Sequence, residues 1–447
     1  MWSRAPALGY YDHPPMVAWF IAAGTAIAGD SPLGIRLLAP VVAALGSIVL
    51  VRAADRLFRV ERPGLAAAAL LNATLAFGVG AVTMTPDTPL LLFWTLAMAA
   101  LMAVAAHRHG WLTAGAAAGA ALVSKYTAVL FGASVFVWLL TGRGLRAWLL
   151  RWQPWAAGGI ASGLFLPVLW WNATHGWVSF AKQGGRVGNF DPGRALRFLG
   201  ELGGGQIGLA TPGVALLMVV GIAASVRRDR APARSLLAAL TIVPAIVFVE
   251  HATGDRVQAN WPAVIYPAAA VAAGLLGGVW ARLRPPSVVL GLAITLLVYL
   301  QGVAQPLALP RRLDPSLMRL GGWPALAAAV AARAGTEGAA FVATDNYGQA
   351  AILARLLPSA VPVLGVEPRW AYFNLPDAAP LIAGRAGLLI RSARRADPPD
   401  TADWAAITPL GELVRARDGV TAETYRLYHV TGRDQAPEPI VVLPRPR

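Results

Sequence analysis

Thr85-Pro86-Asp87-Thr88-Pro89 runs straight into Leu90-Leu-Leu-Phe-Trp-Thr-Leu-Ala-Met-Ala-Ala-Leu-Met-Ala-Val-Ala-Ala106. A carboxylate at a proline-bounded corner precedes an uncharged apolar run of about 20 residues, the length that carries a helix across a ~30 Å hydrocarbon core. On either side of it, apolar stretches of similar length fall at 33–55, 65–84, 153–171, 204–225, 234–250, 260–280 and 287–307. Between 111 and 141 a longer one is interrupted by Ser124-Lys125-Tyr126 and reads as two short spans meeting at a polar apex. About ten spans are expected in all. Residues 16–28, after Pro14-Pro15, are too short to cross and read as a helix lying in the interface.

Composition agrees with an α-helical polytopic membrane protein. The 447 residues are 56% hydrophobic and only 14% charged, with a mean hydropathy of +0.55, which a soluble domain of this size rarely reaches. There is no Cys, so disulfides, thiolate metal sites and Cys nucleophiles are excluded. The net charge of +15 is carried mostly by Arg between apolar spans, where it orients helices, and no nucleic-acid partner is expected.

That charge has a side. Arg52, Arg56, Arg59 and Arg62 share one loop, His107 to His109 the next on that side, and Arg143, Arg146, Arg151, Arg227, Arg228, Arg230, Arg234, Arg282 and Arg284 continue the series. The positive-inside rule makes these loops cytoplasmic. The opposite loops, at 1–32, 84–88, 172–203 and 250–260, are then external, and they hold the unusual polar residues. From 310 to 447 the pattern becomes charged and Pro-rich. Strands are expected at 338–344, 361–366 and 386–390 and a helix at 347–357, giving a small soluble α/β domain on the outer side of a 1–309 membrane domain. The helix at 323–334 is expected to pack that domain on the membrane part.

The external motifs each admit a plain and a chemical role. Tyr10-Tyr11-Asp12-His13-Pro14-Pro15 sets a carboxylate and an imidazole in a corner stiffened by two prolines, suited either to capping the interfacial helix or to a site at lipid-phosphate depth. Asp87 fits an N-cap for the span beginning near Pro89, a role that does not exclude a catalytic one. Lys125 at its apex either snorkels to the interface or serves function. In the loop Trp170 to Arg186, the Trp residues make an ordinary aromatic belt, whereas His175, Lys182 and Arg186 offer groups for a phosphate. Glu250-His251 and Gln258-Ala259-Asn260 supply donors and acceptors of the kind sugar hydroxyls need. No zinc-type ligand spacing is present.

Together, Gly9-Tyr-Tyr-Asp-His-Pro-Pro15, Thr85-Pro-Asp-Thr-Pro-Leu90, Ser124-Lys-Tyr-Thr-Ala128, His175-Gly-Trp-Val-Ser-Phe180, Gly184-Gly-Arg186 and Ala259-Asn-Trp-Pro-Ala263, in that order, resemble the family 39 bacterial membrane glycosyltransferases. These are relatives of protein O-mannosyltransferases and of the aminoarabinose transferase that modifies lipid A. The resemblance implies a GT-C fold in the bacterial inner membrane, with active site and C-terminal domain periplasmic. It implies inverting transfer of a sugar from a polyprenyl-phosphate donor to a lipid, polysaccharide or protein acceptor.

Carried onto this chain, the resemblance makes Asp87 the catalytic carboxylate. Asp12, His13, Lys125 and Arg186 become donor-phosphate groups, and Tyr11, His175, His251 and Asn260 candidates for sugar or acceptor contact. No cofactor is required by it, and a divalent metal stays open. One departure stands out. Relatives carry an Asp-Glu pair in the first outer loop, after a first transmembrane helix, whereas this chain starts at Met1-Trp2-Ser3, inside that loop. A start further upstream is the expectation, with an inactive truncated relative as the alternative. From another class, a polytopic transporter or lipid flippase also fits many spans, though it places substrate groups near the bilayer midplane.

Overall fold

The computed structural model describes residues 1–107, 109–184, 190–226, 231–434, 436–437 and 439–445. The chain forms two compact units, Pro6–Leu297 and, separately, Val298–Arg447 with Met1–Ala5.

The first unit is helical throughout. Its helices are α1 (Met16–Ala28), α2 (Pro32–Arg36), α3 (Leu38–Leu57), α4 (Pro63–Asn72), α5 (Leu75–Gly80), α6 (Asp87–His107) and α7 (Trp111–Ser124). There follow α8 (Val129–Leu140), α9 (Arg143–Arg146), α10 (Trp152–Thr174), α11 (Val178–Gly184), α12 (Pro192–Ala210), α13 (Pro212–Ser225), α14 (Pro232–Gly254), α15 (Tyr266–Gly274) and α16 (Gly278–Val303).

Every expected apolar stretch is helical, but not every one is a single full-length helix. Among the described residues, Pro32–Leu57, α6, α14 and α16 are long and apolar enough to cross a membrane, and α12 with α13 makes a fifth only as a pair bent by 104°. The expected span at 65–84 divides into α4 and α5 because Thr74 leaves the helix and caps α5, accepting from Phe77 N–H. The one at 260–280 begins as a 3-10 turn, Trp261–Ile265. The stretch 111–141 breaks at Lys125, which is extended (φ −160°, ψ 140°), as the polar apex requires.

Close packing rather than polarity joins these helices. A Cβ on Gly115 would lie 2.4 Å from the Ala157 carbonyl oxygen, so α7 and α10 meet backbone to backbone, the device by which small residues let membrane helices approach. All nine residues of α15 are buried, which places that helix at the centre of the unit.

The second unit begins within the last turns of α16, earlier than residue 310, because Gln301 is tied to the chain beyond that helix. Its amide donates to the Leu307 carbonyl and to Asp314. The unit adds α17 (Pro315–Leu320), α18 (Trp323–Thr336), β1 (Val342–Thr344), α19 (Tyr347–Leu356), β2 (Val363–Val366), α20 (Ala379–Ile382), β3 (Ala386–Ser392), β4 (Trp404–Arg417), β5 (Val420–Gly432) and β6 (Ile440–Val442). The sheet order is β4-β5-β3-β1-β2-β6, with β1, β2 and β3 parallel at its centre.

The buried face of α18 (Leu326, Ala327, Val330, Ala334) goes into the core of its own unit, with Val342, Leu353 and Leu388, because those residues recur at helical spacing and the sheet needs a cover. The longest strands, β4 and β5, were not among those expected. They form an antiparallel hairpin around Asp418-Gly419, both at positive φ, the turn chemistry that hairpins favour. Strand β4 carries register shifts at three places, contains Pro409 and turns Arg415 inward. That guanidinium caps the end of α17, donating to the carbonyls of Gly321 and Met318.

Candidate active site

Asp87 opens α6, at a corner held by Thr88, whose hydroxyl donates to the Thr83 carbonyl and accepts from Thr85 N–H. Helix α7 returns antiparallel along α6 and ends at Lys125, bringing that ammonium back to the same end. Lys125 is only 6% exposed, and its Nζ lies 2.6 Å from Asp87 Oδ1. The other oxygen, Oδ2, accepts from Asn260 Nδ2 at 2.7 Å. The carboxylate therefore spends its oxygens on side chains 38 and 173 residues away rather than on first-turn N–H groups, and the buried ammonium is paired rather than snorkelled.

A second ion pair is built on the loop before α1. Tyr10 is buried, and burial pushes its phenol above its ordinary range against the pull of the Ala7 N–H that it accepts. Gly9 has to be glycine, since a Cβ there would come within 2.8 Å of the Trp171 ring. Helix α11 then reads this loop with one face. Ser179 Oγ donates to the Tyr10 carbonyl at 2.7 Å, Lys182 Nζ sits 2.6 Å from Asp12 Oδ1, and Gln183 donates to the Asp12 carbonyl at 3.0 Å. The spacing i, i+3, i+4 puts all three on one side. Lys182 also lies 4.0 Å from the centroid of the Tyr11 ring.

The two pairs are linked through Tyr126, next to Lys125. Its hydroxyl accepts from Asn172 at 3.4 Å and its ring lies 5.1 Å from that of Phe180 on α11. The arrangement offers two ammonium groups, each resting on a carboxylate at the end of an apolar helix bundle. An incoming phosphate would compete for those cations, and a carboxylate so released is a base.

The profile of the family described as dolichyl-phosphate-mannose-protein mannosyltransferase matches residues 12–171. The chain is 28% identical over 363 residues to lipid A galacturonosyltransferase RgtD of Rhizobium johnstonii, covering 79% of this chain and 75% of that protein. Its fold is similar to that of ArnT from Cupriavidus metallidurans, solved in the apo state and bound to undecaprenyl phosphate. Each of those structures gives a TM-score of 0.55 at 18% identity, over 94% of this chain and 88% of that one. The chain is a membrane glycosyltransferase, and its fold is of the GT-C type.

The profile match takes in Asp12, His13, Asp87 and Lys125 and ends before Lys182 and Asn260, so each of the two site carboxylates, Asp12 and Asp87, lies inside the matched stretch and one of its partners outside. The remaining expected residues take different places. His13 lies in the Asp12 turn, its carbonyl accepting from Tyr10 N–H. His175 ends α10, stacks on Trp171 at 4.1 Å and places Nδ1 2.7 Å from the Trp171 carbonyl oxygen, which is a local helix-end role. His251 lies on α14, its ring 5.8 Å from that of Trp261, the neighbour of Asn260. Arg186 lies outside the described residues. Among the described residues, no group of three His, Asp or Glu side chains gathers where it could hold a metal ion.

Sequence reasoning set Asn260 toward the sugar, whereas its amide is bound to Asp87. It also named Lys182 without pairing it to Asp12. The spacing of Ser179, Lys182 and Gln183 was the available signal. A further contact, Gln206 of α12, donates to the Ala259 carbonyl and accepts from the Tyr266 hydroxyl, bracing the loop that carries Asn260.

Proposed function

We propose that this glycosyltransferase moves a sugar from a polyprenyl-phosphate carrier to a hydroxyl or phosphate of a lipid acceptor, with inversion, at the periplasmic face of a bacterial inner membrane. The observation that carries the reading is the buried Lys125 on one oxygen of Asp87, with Asn260 on the other. The lipid A substrate named for RgtD and the undecaprenyl phosphate bound in one ArnT structure support the choice of a lipid acceptor and a polyprenyl-phosphate donor. The basic loops opposite the Asp87 end support the side.

In this mechanism the donor phosphate draws Lys125 off Asp87 Oδ1, while Asn260 keeps Oδ2 and so fixes the carboxylate's orientation. The freed Oδ1 takes the acceptor proton as the acceptor oxygen bonds to the anomeric carbon. The bond from that carbon to the phosphate oxygen breaks, and the polyprenyl phosphate leaves with its charge on the preplaced ammonium groups of Lys125 and Lys182. Such electrostatic stabilisation is strongest where water is scarce. A single displacement needs no protein nucleophile. The transporter alternative places substrate groups near the bilayer midplane, whereas Asp87 and Asn260 lie where their helices begin, next to the loops 84–88 and 250–260.

The test is transfer of labelled sugar from polyprenyl-phosphate donors in membranes containing the chain, beside Asp87→Asn and Lys125→Gln at equal folded protein. Transfer by the parent chain and its loss in both variants is expected. Undiminished transfer by Asp87→Asn would remove the carboxylate from the mechanism, and no transfer by any form would overturn the reading.

A further inference from the structure

The helices that carry the Asp87 site have a second end. From Asp87, α6 runs 18 residues to Ala105, about 27 Å at 1.5 Å per residue. There Val104 and Ala105 line a cavity of about 570 Å³. The helix that leads to Asn260, α14, starts in the wall of the same cavity with Pro232, and Ala239 lies further along that wall. Helix α8 leaves the Lys125 break and ends there at Thr141. The cavity is therefore remote from the candidate catalytic groups, at the opposite end of three elements they share.

Its wall is mostly apolar, and the hydroxyls of Thr141, Ser225 and Ser235 that border it are each spent on a carbonyl of their own helix; its volume lies in the range of small-molecule sites, about 300–1,000 Å³. The segment 141–151 closes one side. Gly142, Gly144, Leu145 and Trp148 line the cavity, while Arg143 and Arg146 on the same segment are exposed. The Arg151 guanidinium carbon lies 4.9 Å over the Trp148 ring. Among the described residues, none of these three arginines forms an ion pair. The other flank of the segment, at Leu149, borders a smaller apolar cavity of about 250 Å³ between α7, α8 and α10.

We propose that this end of the helical unit binds an anionic glycerophospholipid, its acyl chains in the apolar cavities and its acidic headgroup on Arg143, Arg146 and Arg151. The lining selects hydrocarbon, because a sugar or nucleotide would leave its hydroxyls unsatisfied against Val104, Leu145 and Ala239. Three arginines without acidic partners, on a short segment with an inward Leu and Trp, select an acidic headgroup over a zwitterionic one. Arg binds phosphate in a bidentate way, and juxtamembrane basic residues favour anionic lipid. The site stands apart from the transfer reaction and does not rest on it.

The test uses the full chain purified in detergent and incubated with phosphatidylglycerol or phosphatidylcholine of matched acyl chains, bound lipid being counted by native mass spectrometry. The parent chain is expected to retain phosphatidylglycerol at least roughly tenfold better, the ratio expected from a few favourable basic contacts. Arg143→Gln/Arg146→Gln/Arg151→Gln should lose that preference, and Ala239→Phe, which fills the cavity, should lower retention of both lipids. Equal retention of the two lipids by the parent chain, a preference that survives in the triple variant, or unchanged retention in Ala239→Phe would each overturn the proposal. The parent and triple variants decide the matter if the Phe variant does not fold.

Discussion

Two carboxylates set against basic partners, Asp87 in the helical unit and Asp314 in the second, show what separates a group left for chemistry from one spent on structure. Asp314 is saturated. Its oxygens accept from Ser316, from Leu317 N–H at the start of α17, from the Gln301 amide and from Arg417 at 2.8 Å. Burial alone would raise its pKa, but those hydrogen bonds and the Arg417 charge hold the carboxyl below its ordinary value. Asp87 has the same sign of partner, yet its oxygens are shared between one ammonium and one amide. The one built into a helix cap cannot release a partner without loosening a fold. The other holds its partners from separate loops, and they can exchange.

The strongest loss of activity is expected in Asp87→Asn. The amide keeps the volume and loses the base, so transfer should fall roughly 10²–10⁴-fold, the usual worth of a positioned general base, with thermal unfolding of the protein little changed. If unfolding shifts as much as activity, Asp87 is structural after all. Next comes Asp314→Ala, which strands Arg417 and uncaps α17. It should destabilise the second unit by about 3–5 kcal/mol, read as earlier unfolding of that unit, while transfer per folded molecule is kept. Smaller is Asn260→Ala, expected to lower kcat about tenfold because one carboxylate oxygen loses its fixed donor, a loss of about 1–3 kcal/mol. Ser316→Ala, which takes one of several partners from Asp314, should cost less than that.

The smallest effect is in pH, and the two signs differ within one domain. The folded pKa of Asp314 is depressed, so its stabilisation is complete above the unfolded value of about 3.9 and is lost as pH falls through the folded one. Glu367 is opposite. Burial pushes its carboxyl up, against the pull of Arg369, Arg395 and Tyr347 N–H, so its contribution is present below the unfolded value and is lost as pH rises through the folded one. Thermal unfolding followed from pH 3 to pH 7 should lose its acid slope in Asp314→Asn, and Glu367→Gln should be more stable than the parent at neutral pH.

The helical fold was legible because hydrocarbon permits few solutions, and a charged residue between apolar runs stands out. Asp87 and Lys125 were visible for that reason, and each gains meaning from the other. What the chain could not display was the partner brought from far along it. Asn260 reaches Asp87 across 173 positions, and nothing local distinguishes an amide aimed at a carboxylate from one aimed at a sugar. His175 stands among tryptophans, and the structure adds what the sequence could not display, that its Nδ1 lies on the Trp171 carbonyl at the end of its own helix. The count of spans exceeded the full-length helices because apolar composition does not report where a helix breaks, as at Thr74 and Thr211. The β4–β5 hairpin was missed although Asp418-Gly419 announces it, since Pro409 and the mixed charges of β4 hide the alternation a strand should show.

Those same irregularities in β4 have a consequence for crowding. A membrane concentrates its proteins in two dimensions, and a long flat strand with unpaired backbone groups at the rim of a sheet would invite the sheets of neighbouring molecules to join. Here one rim is the three-residue β6, and the other is kinked at three positions, interrupted by a proline and bordered by charge. These are the features that keep sheets apart. The domain can thus be held at high lateral density without becoming a template for its own aggregation.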